Sequence, residues 1–219
     1  MTTLNANKLS LEEVEWLLNL EEREGSNFTS LLSLQPITAS EQAEVEQIHQ
    51  DFRPYLRGKK ALEGQVRLVV VAPLLRLAGF YRPPIQIRVE EDIERIYIED
   101  DDQVITGKFD IIAVNKNSTR SNNVDFWVLV IETKRSELDT ISGLPQLLTY
   151  ASQSLQHQEF VWGLVTNGIR YQFVYLQRGN PSTYQQMPLL NLLESDSAIR
   201  LLQVLKAICQ LPGDRNLAV

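Results

Sequence analysis

Apolar positions recur along this chain at two spacings, and the change from one to the other divides it. From Ser10 the spacing is helical. Leu11, Val14 and Leu18 share one face behind a Ser10–Glu13 capping box, predicting a helix to about residue 24 that Gly25 and Ser26 end. Thr38 and Glu41 offer a second capping box, followed by Val45, Ile48, Phe52 and Leu56 at helical spacing. A third helix is expected over residues 59–78, closed by Gly79. Pro73 has no N–H for the helical ladder, so the helix should kink or restart there. The pattern then turns to strands, expected over residues 85–89, 95–99, 104–114 and 126–133. Residues 142–156 read as a helix and 160–165 as a strand. Asn167-Gly168 reads as a hairpin turn into a strand over 171–176. A polar loop follows, and then an amphipathic helix over 195–209 with Ile199, Leu202 and Leu205 on one side. This order predicts an α/β fold with a mixed central sheet flanked by helices and an N-terminal helical attachment. The divisions expected are 1–58 for the attachment, 59–178 for the core, and 179–219 for a loop and helix packed on it.

Composition narrows the chemistry. The single cysteine, Cys209, excludes an internal disulfide and a cysteine-based zinc site, and His49 and His157 are too few for a histidine-rich centre. Any metal must therefore sit on carboxylate oxygens, which points to magnesium or manganese. Residues 1–8 are polar and poor in basic groups, so no signal peptide is expected. The most apolar run, residues 66–80, is interrupted by Arg67, Pro73 and Arg76 and is too short and charged to span a bilayer. A cytoplasmic protein with no membrane partner is the expectation. The net charge of -7 argues at first against nucleic acid. Residues 1–103 carry 11 Lys and Arg against 19 Asp and Glu, whereas 104–180 carry 7 against 6, so the acidity is N-terminal.

The segment from Phe126 to Lys134 carries the most chemistry. Six apolar residues in a row mark a strand covered on both faces, and Glu132 and Lys134, two apart, point to the same side. Thr133 points away. A carboxylate and an ammonium at the end of a buried strand are costly unless partnered. Asp110 lies within the preceding expected strand, flanked by Phe109, Ile111 and Ile112. If the two strands are neighbours, Asp110 and Glu132 can share one divalent cation, the Thr133 carbonyl completing its coordination. Such an ion suits phosphodiester hydrolysis, with the Lys134 charge beside the developing phosphorane. The plainer alternative is a structural Glu132–Lys134 salt bridge. The acidic run Glu99–Asp102 reads as a solvated hairpin tip.

Gly107-Lys-Phe-Asp110 followed by Glu132-Thr-Lys134 resembles the PD-(D/E)xK nuclease signature, with Phe109 in place of the proline. Gln146-Leu-Leu-Thr-Tyr150 resembles the Q-x-x-x-Y motif of the recombination-nuclease branch. Glu63, Arg67 and Pro73-Leu-Leu-Arg-Leu-Ala-Gly79 resemble the opening of the nuclease domain of type I restriction enzyme R subunits, as does Leu164-Val-Thr-Asn-Gly168. The resemblance spans residues 59–178. It implies a restriction-endonuclease-like core and a metal-dependent deoxyribonuclease acting in restriction, defence or repair. In it Asp110, Glu132 and Lys134 are catalytic, and Glu63 helps hold the metals. Gln146 and Tyr150 touch the DNA backbone, and Lys108 is a candidate phosphate contact. No G-x-x-x-x-G-K-[ST] loop is present, so a motor, other restriction subunits or a second copy are the candidate protein partners. The rival expectation is a nuclease-fold subunit without catalysis that binds DNA or assembles with a motor.

Overall fold

The computed structural model describes residues 2–25, 27–58, 60–93, 95–98, 103–116 and 125–211. Strand β1 (Thr2–Asn5) leads through a 3-10 turn into α1 (Leu11–Leu18), whose Ser10–Glu13 capping box is made in both directions. The helix stops well short of residue 24. Asn19 adopts a left-handed conformation (φ 49°), which asparagine tolerates better than most residues, and turns the chain into β2 (Leu20–Arg23). After α2 (Phe28–Leu31) comes α3 (Ala39–Gly58). The Thr38 N–H donates to Glu41 Oε2 (2.7 Å) and the Glu41 N–H to Thr38 Oγ1 (3.2 Å), while Val45, Ile48 and Phe52 face inward.

The third helical stretch begins at Glu63, later than expected, and is three pieces in one: α4 (Glu63–Val66), a π-helical turn (Arg67–Val71) and α5 (Ala72–Ala78). The expected disturbance at Pro73 takes this form. The Ala72 N–H bonds back to the Arg67 carbonyl, five residues earlier, and the widened turn places Pro73 in the first turn of α5, where no N–H is needed.

The strands then follow: β3 (Ile85–Val89), β4 (Ile96–Ile98), β5 (Gln103–Thr106), β6 (Ile111–Asn115) and β7 (Phe126–Thr133). Helix α6 (Leu144–Ser154) precedes β8 (Phe160–Thr166), β9 (Arg170–Gln177), β10 (Ser182–Gln186) and β11 (Leu190–Asn191), and α7 (Ser195–Cys209) comes last. The main sheet runs β2-β10-β9-β8-β7-β6-β3, with β11 also on β9. Its β7–β8 and β2–β10 pairs are parallel and the others antiparallel. A smaller sheet, β1-β5-β4, stands apart. This is a mixed α/β architecture with helices on both faces. Phe52, Leu74, Leu201 and Leu205 pack with Leu129, Ile131 and Phe173 on one side, while Val14, Leu147 and Leu148 pack with Val130 and Val165 on the other. Leu129, Val130 and Ile131 at the centre of β7 are fully buried. Each contributes about 1.5–3 kcal/mol.

Three expectations need correction. The strand expected over 104–114 is two strands in different sheets, broken at residues 107–110. A Cβ on Gly107 would come within 2.8 Å of the Tyr150 ring, so the chain passes helix α6 closely at the break. Asp110 therefore lies in a bend before β6, not inside a strand. The polar loop after residue 178 contains β10 and β11, and the first 58 residues supply a strand to each sheet. The acidic run at residues 99–102 lies outside the described residues. Among the described residues no helix is long and apolar enough to cross a membrane.

Candidate active site

The register of the two central strands sets the geometry. Ile111 on β6 pairs with Ile131 on β7, so Asp110 is one step along, across from Glu132. Asp110 bends over the strand end. Its Oδ2 accepts from the Thr133 N–H (2.7 Å) and the Thr133 hydroxyl (2.5 Å). Its Oδ1 accepts from Arg67 Nη1 at 3.2 Å. Thr133, expected to turn away, thus steadies Asp110 with its own hydroxyl.

Lys134 lies just past β7, its N–H donating to the Thr166 carbonyl (2.8 Å), which continues the parallel ladder with β8. Its ammonium donates to Glu132 Oε1 (2.8 Å) and to Gln146 Oε1 (2.9 Å). Gln146 Nε2 donates to the Tyr150 hydroxyl (2.8 Å) from one turn away on α6. That hydroxyl also accepts from the Lys108 N–H (3.3 Å) and donates to Asn7 Oδ1 (3.2 Å). The sequence reading set Gln146 and Tyr150 against the DNA backbone. Tyr150 is instead wholly buried, with its hydroxyl occupied by three partners of this chain. In this structure it supports Gln146, and Gln146 supports Lys134.

Glu132 is the electrostatic centre. Its side chain is 3% exposed, and Oε2 is buried without a hydrogen-bond partner. Burial drives its pKa up to about 8, the Asp110 charge pushes the same way, Lys134 partly offsets both, and Glu63 adds a smaller push upward. Glu63, half-buried at the start of α4, is thus close enough to act on the site. Two backbone-level bonds hold that helix in place: the Ala61 N–H donates to Ser136 Oγ (3.0 Å), and the Ser136 N–H to the Ala61 carbonyl (3.1 Å). Lys108 is exposed, and its ammonium lies 3.8 Å from Glu90.

Burying a carboxylate oxygen without a donor or a cation beside it is costly. A magnesium-like ion that keeps most of its water and takes one or two carboxylates fits this pair. A closed protein cage does not. Among the described residues no group of three or more His, Cys, Asp and Glu is gathered tightly enough to hold a metal. A hollow of about 580 Å³ bordered by Ile96, Phe109, Trp127 and His157 is lined by none of the candidate site residues.

Sequence reasoning assigned no role to Arg67, Asn7 or Gly143. Arg67 had a signal, its spacing of four from Glu63 on one helix. Gly143 had none. A Cβ there would come within 2.9 Å of Lys134 Cε and 3.2 Å of Glu132 Cγ, so the turn before α6 lies directly against the site.

No family model matches the chain, and no curated protein matches it. Among solved structures it is similar to the fragment structure of a putative HsdR subunit of a type I restriction enzyme from Vibrio vulnificus YJ016. The similarity has 19% identity and a TM-score of 0.39, and it covers 66% of this chain and 26% of that one. The chain thus spans about a quarter of that protein's length, and a likeness at this level carries no argument by itself.

Proposed function

We propose that the chain is a metal-dependent deoxyribonuclease of the PD-(D/E)xK type with a restriction-endonuclease-like core, acting in restriction or a related defence or repair process. The observation that carries this reading is the buried, unpartnered Glu132 oxygen beside Asp110 and Lys134. Asp110, Glu132 and the Thr133 carbonyl would hold magnesium or manganese, with Glu63 assisting. A bound ion would supply Lewis acidity toward a phosphoryl oxygen and a nucleophile near neutral pH. Lys134, held between Glu132 and Gln146, would supply a compact positive charge to the negative charge that grows in the transition state. Tyr150 and Gln146 keep that ammonium from straying. Lys108, which is exposed, would meet a phosphate. A separate motor, other restriction subunits or a second copy are the partners this reading admits.

The test is cleavage of duplex DNA with magnesium or manganese. Activity should vanish with a chelator and in Glu132→Gln and Lys134→Ala. Cleavage at the wild-type rate by folded Glu132→Gln would reject the assignment. One observation favours the rival reading of a binding subunit without catalysis: both Asp110 oxygens already hold protein donors. Metal-dependent DNA binding without cleavage would favour it.

A further inference from the structure

Arg67 places one nitrogen between two acids. Its Nη1 lies 3.0 Å from Glu90 Oε1 and 3.2 Å from Asp110 Oδ1. It reaches them from the first residue of the π-helical turn, an uncommon conformation that recurs where a helix serves a site. Glu90 is held just as deliberately. It has φ 52°, a left-handed backbone that costs a glutamate energy, and its N–H donates to the Asp110 carbonyl (3.0 Å). The two acids differ in exposure: the Asp110 side chain is 18% exposed and that of Glu90 56%. An inner and an outer anion thus share one guanidinium.

We infer that Arg67 is an internal counter-cation that latches the metal-free site and is displaced from Asp110 onto Glu90 when a divalent ion arrives. This rests on the reading of Asp110 and Glu132 as metal ligands. Asp110 lies across from Glu132, and the Lys134 ammonium donates to Glu132 and Gln146. Arg67 supplies the missing positive charge at Asp110. A divalent ion on Asp110 Oδ1 would repel a guanidinium at contact distance. Because the Glu90 contact already exists, the arginine keeps a partner when it yields. Metal binding is then an exchange of cations on Asp110, and the ion must overcome a charge-assisted hydrogen bond to enter.

Titration of the full chain with manganese, following loss of the free-ion signal by electron paramagnetic resonance, tests the exchange without any cleavage assay. Arg67→Gln should bind manganese about tenfold more tightly than the wild type. Arg67→Lys keeps the charge on a shorter side chain that does not reach both acids as the guanidinium does, and should also bind more tightly. In Glu90→Gln the guanidinium keeps only an uncharged outer acceptor, and binding should weaken. That weakening should shrink in the Arg67→Gln background. Thermal melts should show a larger manganese-induced rise for Arg67→Gln than for the wild type. Tightening in Arg67→Gln with none in Arg67→Lys would mean a mere field effect and would overturn the latch. Unchanged or weaker binding in both, with Glu132→Gln still abolishing it, would also overturn the latch while leaving the metal site standing. If no form binds manganese in a Glu132-dependent way, the metal reading itself falls and the latch with it.

Discussion

Glu132 sits where its charge has little solvent and an acidic neighbour, and this makes folding depend on pH in an unusual direction. In the unfolded chain it loses its proton near 4.5, but in the folded metal-free protein only at about 8. Between those values the folded state holds a proton that the unfolded state has released. Raising the pH through this window therefore weakens the fold, by on the order of a few kcal/mol once both states are ionised. Melts of metal-free protein should fall in midpoint from pH 5 to pH 8, and Glu132→Gln should flatten that decline. A wild-type midpoint that rises across the window would refute the assignment. At Asp110 the structure reverses an expectation. Two adjacent acids repel, so by charge alone the removal of either would leave stability equal or higher. Asp110→Ala, however, would strip the buried Thr133 N–H and hydroxyl of their acceptor and Arg67 of one of its two, so chemical denaturation should show a loss of about 1–3 kcal/mol. Undiminished stability would show that the Asp110 contacts contribute nothing. Asp110, Glu132 and Lys134 stand out in the sequence because charged residues there border apolar runs. The donors to Asp110 do not, because a threonine hydroxyl and an arginine on a distant helix carry no pattern that links them to it.

Helix α6 and the turn before it hold Lys134 in place through chain contacts alone. Gly143→Ala would drive a methyl group into Val165, Lys134 and Glu132, the nearest atom at 2.6 Å. We expect it to cut cleavage sharply while far-UV circular dichroism stays native; full activity would show that the ammonium tolerates displacement. Tyr150→Phe keeps the ring but leaves Gln146 and the Lys108 N–H without their shared oxygen, at a cost of about 1–2 kcal/mol. Its cleavage rate should fall through kcat with KM little changed, because the residue is remote from solvent. A rise in KM alone would restore the direct DNA contact. Among the elements, β7, α3, α6, α7 and the β8–β9 hairpin were legible: their apolar runs are long or their caps explicit. β1, β2 and β10 were not. Thr-Thr-Leu-Asn, Leu-Glu-Glu-Arg and Ser-Thr-Tyr-Gln-Gln are short and polar, and they become strands only because a partner edge awaits them. The split of 104–114 escaped notice because both halves are rich in Val and Ile, and only Gly107 marks the break.

For the molecule as a whole, acidity would govern the proposed meeting with nucleic acid. With a net charge of -7, DNA binding should be weak without divalent ions, and what binding occurs should weaken steeply as salt rises. Filter binding across a salt series checks this; tight, salt-insensitive binding by metal-free protein would contradict it. The N-terminal strands carry a consequence of a different kind, in the order of synthesis. β1 pairs in parallel with β5, Thr2 opposite Gln103, and β2 pairs in parallel with β10, Leu20 opposite Ser182. Residues made early thus close their pairings with residues made long afterwards. Such distant pairings are slow to form. A nascent chain that ends before Tyr150 has neither the partner of Asn7 nor the support of Lys134, and one that ends before β10 leaves Leu20 uncovered. The proposed catalytic apparatus would therefore be completed only once β10 has been made, and a product ending before that strand would be an inert one.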